Sequence, residues 1–222
     1  MGAATEYPEG ERSQLKRIPE RGSHDRAAIH SILDEGMICH VGISTERGPV
    51  VIPTIYARIG DRLYLHGSPA SRLLRDLSKG VPVCVTVTHV DALVLARSAF
   101  HHSMNYRSAV IFGTATDVKD PDEKTRALAA VVEHVVPGRS DGTRAPNDFE
   151  FQYTRVLAVE IEEATAKVRT GPPNDDEEDL GLPHWAGLIP VRTSYGPAEP
   201  AANLAADIEP PAHVTDYRRP TS

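Results

Sequence analysis

Residues 52–77 read IPTIYARIGDRLYLHGSPASRLLRDL, and their pattern decides the fold prediction for the chain. β-Branched and apolar residues dominate the opening positions, and Gly60-Asp61 then forms a tight turn into a second alternating run at 62–66. A serine follows at Ser68, where it can cap a helix whose first turn contains a proline. The segment therefore predicts two antiparallel strands and a helix that begins at Ser68 and ends at Gly80.

The regions around this segment continue the same alternation of strands and short turns. The sequence predicts helices at 25–34, capped by Ser23, and at 120–136. Further strands are predicted at 37–44, 50–58, 81–88, 92–100, 109–118 and 156–161. Because few strand–helix–strand units occur, the pattern favours an antiparallel barrel over a doubly wound parallel sheet. We expect a mainly β protein with flanking helices, of the α+β class.

Composition divides the chain into three segments. Residues 1–22 are predicted to be a polar N-terminal arm, 23–196 a single folded domain, and 197–222 a proline-rich tail that is disordered or extended. The 222 residues contain 24 Lys and Arg against 31 Asp and Glu, a formal net charge of −7. A chain with this balance lacks the broad basic face that nucleic-acid-binding proteins need, so no nucleic-acid partner is expected.

The sequence also predicts the compartment. No apolar run approaches the roughly 20 residues that a membrane-spanning helix requires. The N-terminal residues lack the apolar core of a signal peptide. Cys39 and Cys84 lie outside any metal-binding or CxxC pattern and are expected to be reduced thiols. A soluble, cytoplasmic protein with no membrane partner is therefore predicted.

Residues 66–72, HGSPASR, are the first candidate binding segment. They join the end of a predicted strand to a predicted helix N-terminus, where free backbone N–H groups favour an anion. Ser71 adds a hydroxyl donor, Arg72 adds a cation that can hold a phosphate through two hydrogen bonds, and Gly67 permits close approach of a ligand. By spacing alone, an ordinary helix cap with a surface arginine explains the segment equally well.

Residues 98–108, SAFHHSMNYRS, are the second candidate segment because they place many polar donors between two apolar strands. They either line a ligand site or form a long hairpin loop, and the absence of glycine favours the ligand site. His101 and His102 are adjacent and would point to opposite faces of a strand, so no metal site is expected. His40, on an apolar strand, is expected to be a core or edge histidine and not a ligand.

Four motifs together resemble the pyridoxamine 5′-phosphate oxidase-like flavin proteins: LYLHGS at 63–68, SRLL at 71–74, NYRS at 105–108 and WAGLIP at 185–190. Within that superfamily the chain is most similar to the flavin-nucleotide-binding branch that includes nitroimidazole-resistance reductases. The resemblance covers residues 25–195. It implies a six-stranded antiparallel split β-barrel, a homodimer, and one FMN in each of two clefts between the subunits.

The resemblance also implies which residues bind FMN. The isoalloxazine ring would lie along Pro53, Thr54, Ile55 and Tyr56. The ring edge and ribityl chain would be bordered by His66, Gly67 and Ser68, and the phosphate would be held by Ser71 and Arg72. The partner subunit would contribute Asn105, Tyr106, Arg107 and Ser108, with Trp185 near the flavin. Arg72 and Arg107 together could neutralise the phosphate, which carries about two negative charges.

The expected function is electron transfer from NAD(P)H through FMN to a small oxidised acceptor such as a nitro compound or quinone. His66 is the candidate proton donor, although it could equally well pack beside the ring. True pyridoxamine phosphate oxidases resemble one another in an arginine-rich C-terminal motif that holds the substrate phosphate. In the corresponding residues 182–200, Arg192 is the only lysine or arginine, so oxidation of pyridoxamine phosphate is not expected. The alternative is a non-catalytic flavin or haem carrier; a deazaflavin-dependent reductase is disfavoured.

Overall fold

The computed structural model describes residues 4–219. The α-helices in this part are α1 Arg26–Glu35, α2 Arg72–Leu77, α3 Pro121–Val135, α4 Asp148–Gln152 and α5 Ala212–Thr215. The β-strands are β1 Gly22–Ser23, β2 Ile38–Thr45, β3 Gly48–Ile59, β4 Arg62–Gly67, β5 Pro82–Leu95, β6 Ser103–Asp117, β7 Arg155–Glu160, β8 Glu163–Arg169 and β9 Gly187–Pro190.

The strands hydrogen-bond in the order β1-β8-β6-β7-β4-β3-β2-β5-β9, and β5 also pairs with β6. Six strands, β5, β6, β7, β4, β3 and β2, therefore form a closed ring. The ladders β2–β3, β3–β4, β4–β7 and β6–β7 are all antiparallel. The predicted six-stranded antiparallel barrel with few flanking helices is confirmed.

The chain divides into two compact units. Unit 2 comprises residues 37–85 and 113–161 and the described part of 194–222. Its strands β2, β3, β4 and β7 run side by side. Short turns connect β2 to β3 and β3 to β4, whereas β7 follows much later in the chain and pairs with β4. Helix α3 packs on this sheet, where Ala127 joins Tyr64, Val156 and Ala158 in a buried apolar cluster.

Unit 1 comprises the described part of residues 1–36 together with 86–112 and 162–193. Strand β8 pairs with β1 on one side and β6 on the other. The N-terminal residues pack into this unit: Tyr7 is buried and its hydroxyl lies 2.7 Å from Nε2 of His30. The Arg12 guanidinium donates to the Glu163 carboxylate at 2.6 and 2.9 Å.

Two helices begin later than their sequence patterns suggest. The N-cap of α1 is Asp25, whose carboxylate accepts from the Ala28 N–H at 2.8 Å, and Ser23 instead accepts from the Asp25 N–H. The residues from Ser68 form a turn, closed by the Ser71 N–H donating to the Ser68 carbonyl at 2.9 Å. Helix α2 therefore starts only at Arg72.

Three strand predictions were wrong in their boundaries. The strands predicted at 81–88 and 92–100 are the single strand β5, which continues through residues 89–91 although the buried positions change from odd-numbered to even-numbered between Val87 and Ala92. Strand β6 begins at Ser103 and not at 109, because residues 106–112 pair with β8. Strand β8 itself was missed because its alanines and charged residues carry little strand propensity.

The proline-rich tail is not wholly extended or disordered. Its described end contains α5, and beyond that helix the Tyr217 hydroxyl donates to the Val135 carbonyl at 2.7 Å. The Arg219 guanidinium donates to the His134 carbonyl, so the described end of the tail is hydrogen-bonded to α3. The boundaries of the predicted arm, domain and tail stay a prediction. Within the described residues, no helix combines the length and apolarity needed to cross a membrane.

Candidate functional site

Unit 2 contains a pocket with a cavity volume of about 1120 Å³. Its apolar lining comes from the β2–β3 ladder, including Ile43 and Ile52, and its polar lining from the end of β4 and from α2. The pocket brings together six residues that the sequence resemblance assigned to flavin binding: Thr54, His66, Gly67, Ser68, Ser71 and Arg72. Ligand pockets commonly combine an apolar lining with a few convergent polar groups.

Close packing of the chain around Gly67 shapes one wall of the pocket. A Cβ atom at Gly67 would lie 3.1 Å from Cδ1 of the Leu74 side chain. Leu74 belongs to α2 and is buried. The absence of a side chain at Gly67 therefore lets α2 approach the end of β4, which places Arg72 at the pocket.

Ser71 and Arg72 have side-chain donors without a hydrogen-bond partner among the described residues. The Ser71 hydroxyl makes no capping hydrogen bond to α2. Among residues 4–219 the Arg72 side chain, which is exposed, forms no hydrogen bond or ion pair. A hydroxyl and a guanidinium that face a pocket without protein partners can donate to an anionic ligand.

Sequence reasoning missed three further cations that line the pocket: Arg47, Arg75 and Lys79. Arg75 and Lys79 follow Arg72 at helical spacing, a signal that could have found them. The Lys79 ammonium donates to Asp76 at 2.8 Å, and this hydrogen bond raises the pKa of Lys79. The lining thus carries four cations against the carboxylates of Glu46 and Asp76, in a chain of net charge −7.

His66 lines the pocket with one ring nitrogen shielded from solvent. Its Nδ1 atom is buried and has no hydrogen-bond partner among the described residues. Burial lowers the pKa of His66 below its ordinary value of 6.5 because the charged imidazolium loses solvation. The neutral imidazole is therefore the form that this site favours near neutral pH.

The depressed pKa of His66 predicts a pH dependence of stability. Below the ordinary value of 6.5 the unfolded chain binds more protons than the folded chain, so stability falls as the pH drops through that range. A His66→Gln variant removes this titration. We expect the melting temperature of the wild-type chain to fall more between pH 7.5 and 5.5 than that of the variant; parallel melting curves would contradict the assignment.

The four β3 residues predicted to follow the flavin ring do not share one environment. Thr54 lines the pocket, whereas Pro53 and Ile55 project from the opposite face of the strand because side chains alternate. Tyr56 is fully buried, and its ring packs against His134 of α3 with 4.7 Å between centroids. Tyr56 therefore supports the core of unit 2 and is not among the residues that line the pocket.

Arg107, in unit 1, is held by two carboxylates. Its guanidinium donates to both Glu35 oxygens at 2.5 and 2.9 Å and to Asp91 at 2.8 Å. These hydrogen bonds raise the pKa of Arg107, and the bond to Glu35 has the larger effect. A guanidinium already neutralised by two carboxylates has little attraction left for a phosphate, so this arrangement does not support the expected role of Arg107 at the FMN phosphate.

The other predicted residues of unit 1 lie in and beyond β6. Asn105 is buried, where it accepts from Arg169 and donates to the Gly171 carbonyl at 3.0 Å. The Ser108 hydroxyl donates to the Lys167 carbonyl at 3.3 Å. Tyr106 is half-buried opposite Arg169 on β8, and Trp185 is 68% exposed. The polar segment is thus mostly strand, and several of its donors serve the fold.

Comparison with known families assigns the chain to one of them. The family model described as pyridoxamine 5′-phosphate oxidase matches residues 25–168. The chain therefore belongs to this flavin-binding, split-barrel family, as its four motifs indicated. No curated protein sequence matches the chain.

Solved structures extend the comparison over nearly the whole chain. The flavocytochrome Anf3 from Azotobacter vinelandii is 38% identical with a TM-score of 0.88, covering 94% of this chain and 97% of its own. A FAD and heme binding protein from Mycobacterium smegmatis is 35% identical with a TM-score of 0.84, covering 88% and 96%. A Bacteroides thetaiotaomicron protein named for 5-nitroimidazole antibiotic resistance is 27% identical with a TM-score of 0.57, covering 66% and 86%.

Proposed function

We propose that this chain is a flavin-dependent redox protein whose unit 2 pocket holds the phosphate end of the flavin. The observation that carries the proposal is the pocket that joins an apolar ladder face to Ser71 and Arg72, two donors whose side chains have no hydrogen-bond partner in the described part of the chain. An apolar floor suits the flat ring of a flavin, and an unpaired guanidinium suits its phosphate.

The cations beyond Arg72 favour FAD over the FMN that the sequence resemblance implies. FMN has one phosphate, which Ser71 and Arg72 suffice to bind. Arg47 and Arg75 give the same pocket cations for a second phosphate, and neither forms a side-chain hydrogen bond or ion pair within residues 4–219. The similar protein from Mycobacterium smegmatis is described as binding FAD.

When bound, the flavin supplies the redox chemistry, by accepting two electrons from NAD(P)H and passing them to a small oxidised acceptor. Ile43 and Ile52 would exclude water from one side of the pocket. His66 would present a neutral imidazole whose Nδ1 is free to accept or relay a proton. A homodimer is part of the proposal, supported by exposed apolar side chains at Leu188 and Ile189 of β9.

The deciding experiment examines the purified protein directly. We expect a yellow protein whose denaturation releases a flavin, identified as FAD by chromatography against FAD and FMN standards. Anaerobic mixing with NADPH should bleach the flavin band. A colourless protein that binds neither standard would refute the proposal, whereas a bound flavin that NADPH fails to reduce would favour the carrier alternative. Release of FMN would overturn the preference for FAD.

Haem is a second candidate ligand, alongside the flavin. The two similar proteins at 38% and 35% identity are described as a flavocytochrome and as a FAD and heme binding protein. Both comparisons cover more than four-fifths of this chain, so a haem site would lie within a shared architecture. In such a protein the flavin and the haem iron would exchange electrons.

A further inference from the structure

The outward face of the β2–β3 ladder carries a histidine within an apolar surface. Ile38 pairs with Ile55, His40 with Pro53, and Gly42 with Val51. Directly paired residues of an antiparallel ladder project to the same face, and their neighbours in sequence project to the other. These six residues therefore form one surface, which we name the His40 face. It belongs wholly to unit 2.

Exposure values confirm that this face points to solvent. Ile38 is 44% exposed, Val51 61% and Ile55 38%. The alternating residues of β2, Cys39 and Val41, are fully buried. None of the six positions of the His40 face carries a charged side chain. Large exposed apolar patches on protein surfaces commonly mark sites that bind a ligand or a partner.

His40 has both ring nitrogens free for a ligand. It is exposed, and within residues 4–219 its imidazole forms no hydrogen bond or ion pair. Sequence reasoning placed His40 in the core or at an edge and not as a ligand; the alternation of β2 instead directs it outward. A solitary imidazole gains nothing from a purely apolar partner, but it is a common axial ligand of haem iron.

We propose that His40 is an axial ligand of a haem that lies against the His40 face, an inference that rests on the haem candidate of the proposed function. The porphyrin is flat and largely apolar, which suits the surface formed by Ile38, Val51 and Ile55. Residues 38–42 extend roughly 13 Å along the strand at about 3.3 Å per residue, so the flanking side chains border the imidazole on both sides.

Titration of the full-length protein with haemin tests this assignment. We expect the wild-type chain to bind one haem per subunit, with a sharpened Soret band of a histidine-ligated haem. His40→Ala should weaken haemin binding at least tenfold, and added imidazole should restore the spectrum by replacing the missing ligand. His102→Ala, which removes another exposed histidine, is the matched control and should bind haemin like the wild type.

Each remaining outcome counts against the assignment. Wild-type affinity in His40→Ala, or absence of specific haemin binding by the wild type, would overturn it. So would a Val51→Asp variant that binds haemin normally but no longer dimerises by light scattering, because the face would then be an interface between two copies. The flavin content of every sample is measured separately, so a flavin-loaded protein without haem refutes this inference and leaves the flavin proposal intact.

Discussion

Replacing Arg72 with alanine is expected to weaken flavin binding by roughly tenfold to a hundredfold. Within residues 4–219 the Arg72 guanidinium forms no hydrogen bond or ion pair, so the substitution removes a ligand contact and no hydrogen bond of the described fold. A hydrogen bond to a charged group contributes about 1.5–3 kcal/mol, and about 1.4 kcal/mol corresponds to a factor of ten. The measurement is quenching of flavin fluorescence during titration of the flavin-free protein.

Arg126→Ala provides the matched control for this experiment. Arg126 is an exposed arginine on α3, and it does not line the pocket. Its substitution changes the net charge by the same amount, so a general electrostatic effect would weaken flavin binding in both variants. Equal affinities in Arg72→Ala and wild type would show that the phosphate lies elsewhere.

Replacing Gly113 with alanine is expected to cost about 2–3 kcal/mol of unfolding free energy, or roughly 5–10 °C in melting temperature. A Cβ atom at Gly113 would lie 2.0 Å from the carbonyl oxygen of Glu160 and 3.1 Å from Cγ1 of Val159. The first of these atoms belongs to the backbone, so no change of side-chain rotamer can relieve the contact. Strand β6 or β7 must shift, which would disturb their ladder in unit 2.

Gly181→Ala separates this steric effect from the general effect of adding a methyl group. A Cβ atom at Gly181 would meet no heavy atom of the described residues within 4 Å apart from its own chain neighbours, so its substitution should change stability by less than about 0.5 kcal/mol. Thermal unfolding followed by circular dichroism measures both variants. A Gly113→Ala protein as stable as Gly181→Ala would show that β6 and β7 are farther apart than the structure has them.

Much of the fold could be predicted because it is encoded locally. The turn at Gly60 and the alternation on either side predict β3 and β4, and both strands form as a paired ladder. Asp120 precedes a proline and acidic residues, and it caps α3. Each of these features depends on residues within a few positions of one another, so one sequence suffices to detect it.

Other features depend on partners distant in the sequence. The polar side chains of residues 103–108 give no strand pattern, although these residues belong to β6. The partner strand β8 begins some sixty residues later in the chain. Tyr56 was predicted to line the flavin site, but its ring packs against His134 of α3 in the core. In each case a pairing or packing partner decided the outcome, and no local pattern contains that information.

The candidate site shows the same division. By itself the sequence determined the barrel class, the family motifs and the polar turn from His66 to Arg72, since periodicity, turn residues and short motifs are properties of neighbouring residues. Only the tertiary structure decided how the charges are used. It paired Arg107 with Glu35 and Asp91. Among the described residues it gave Arg72 no ion-pair partner, and it placed Arg47 in the pocket that Arg72 lines. Coulomb attraction depends on distance in space, which the order of residues along the chain does not state.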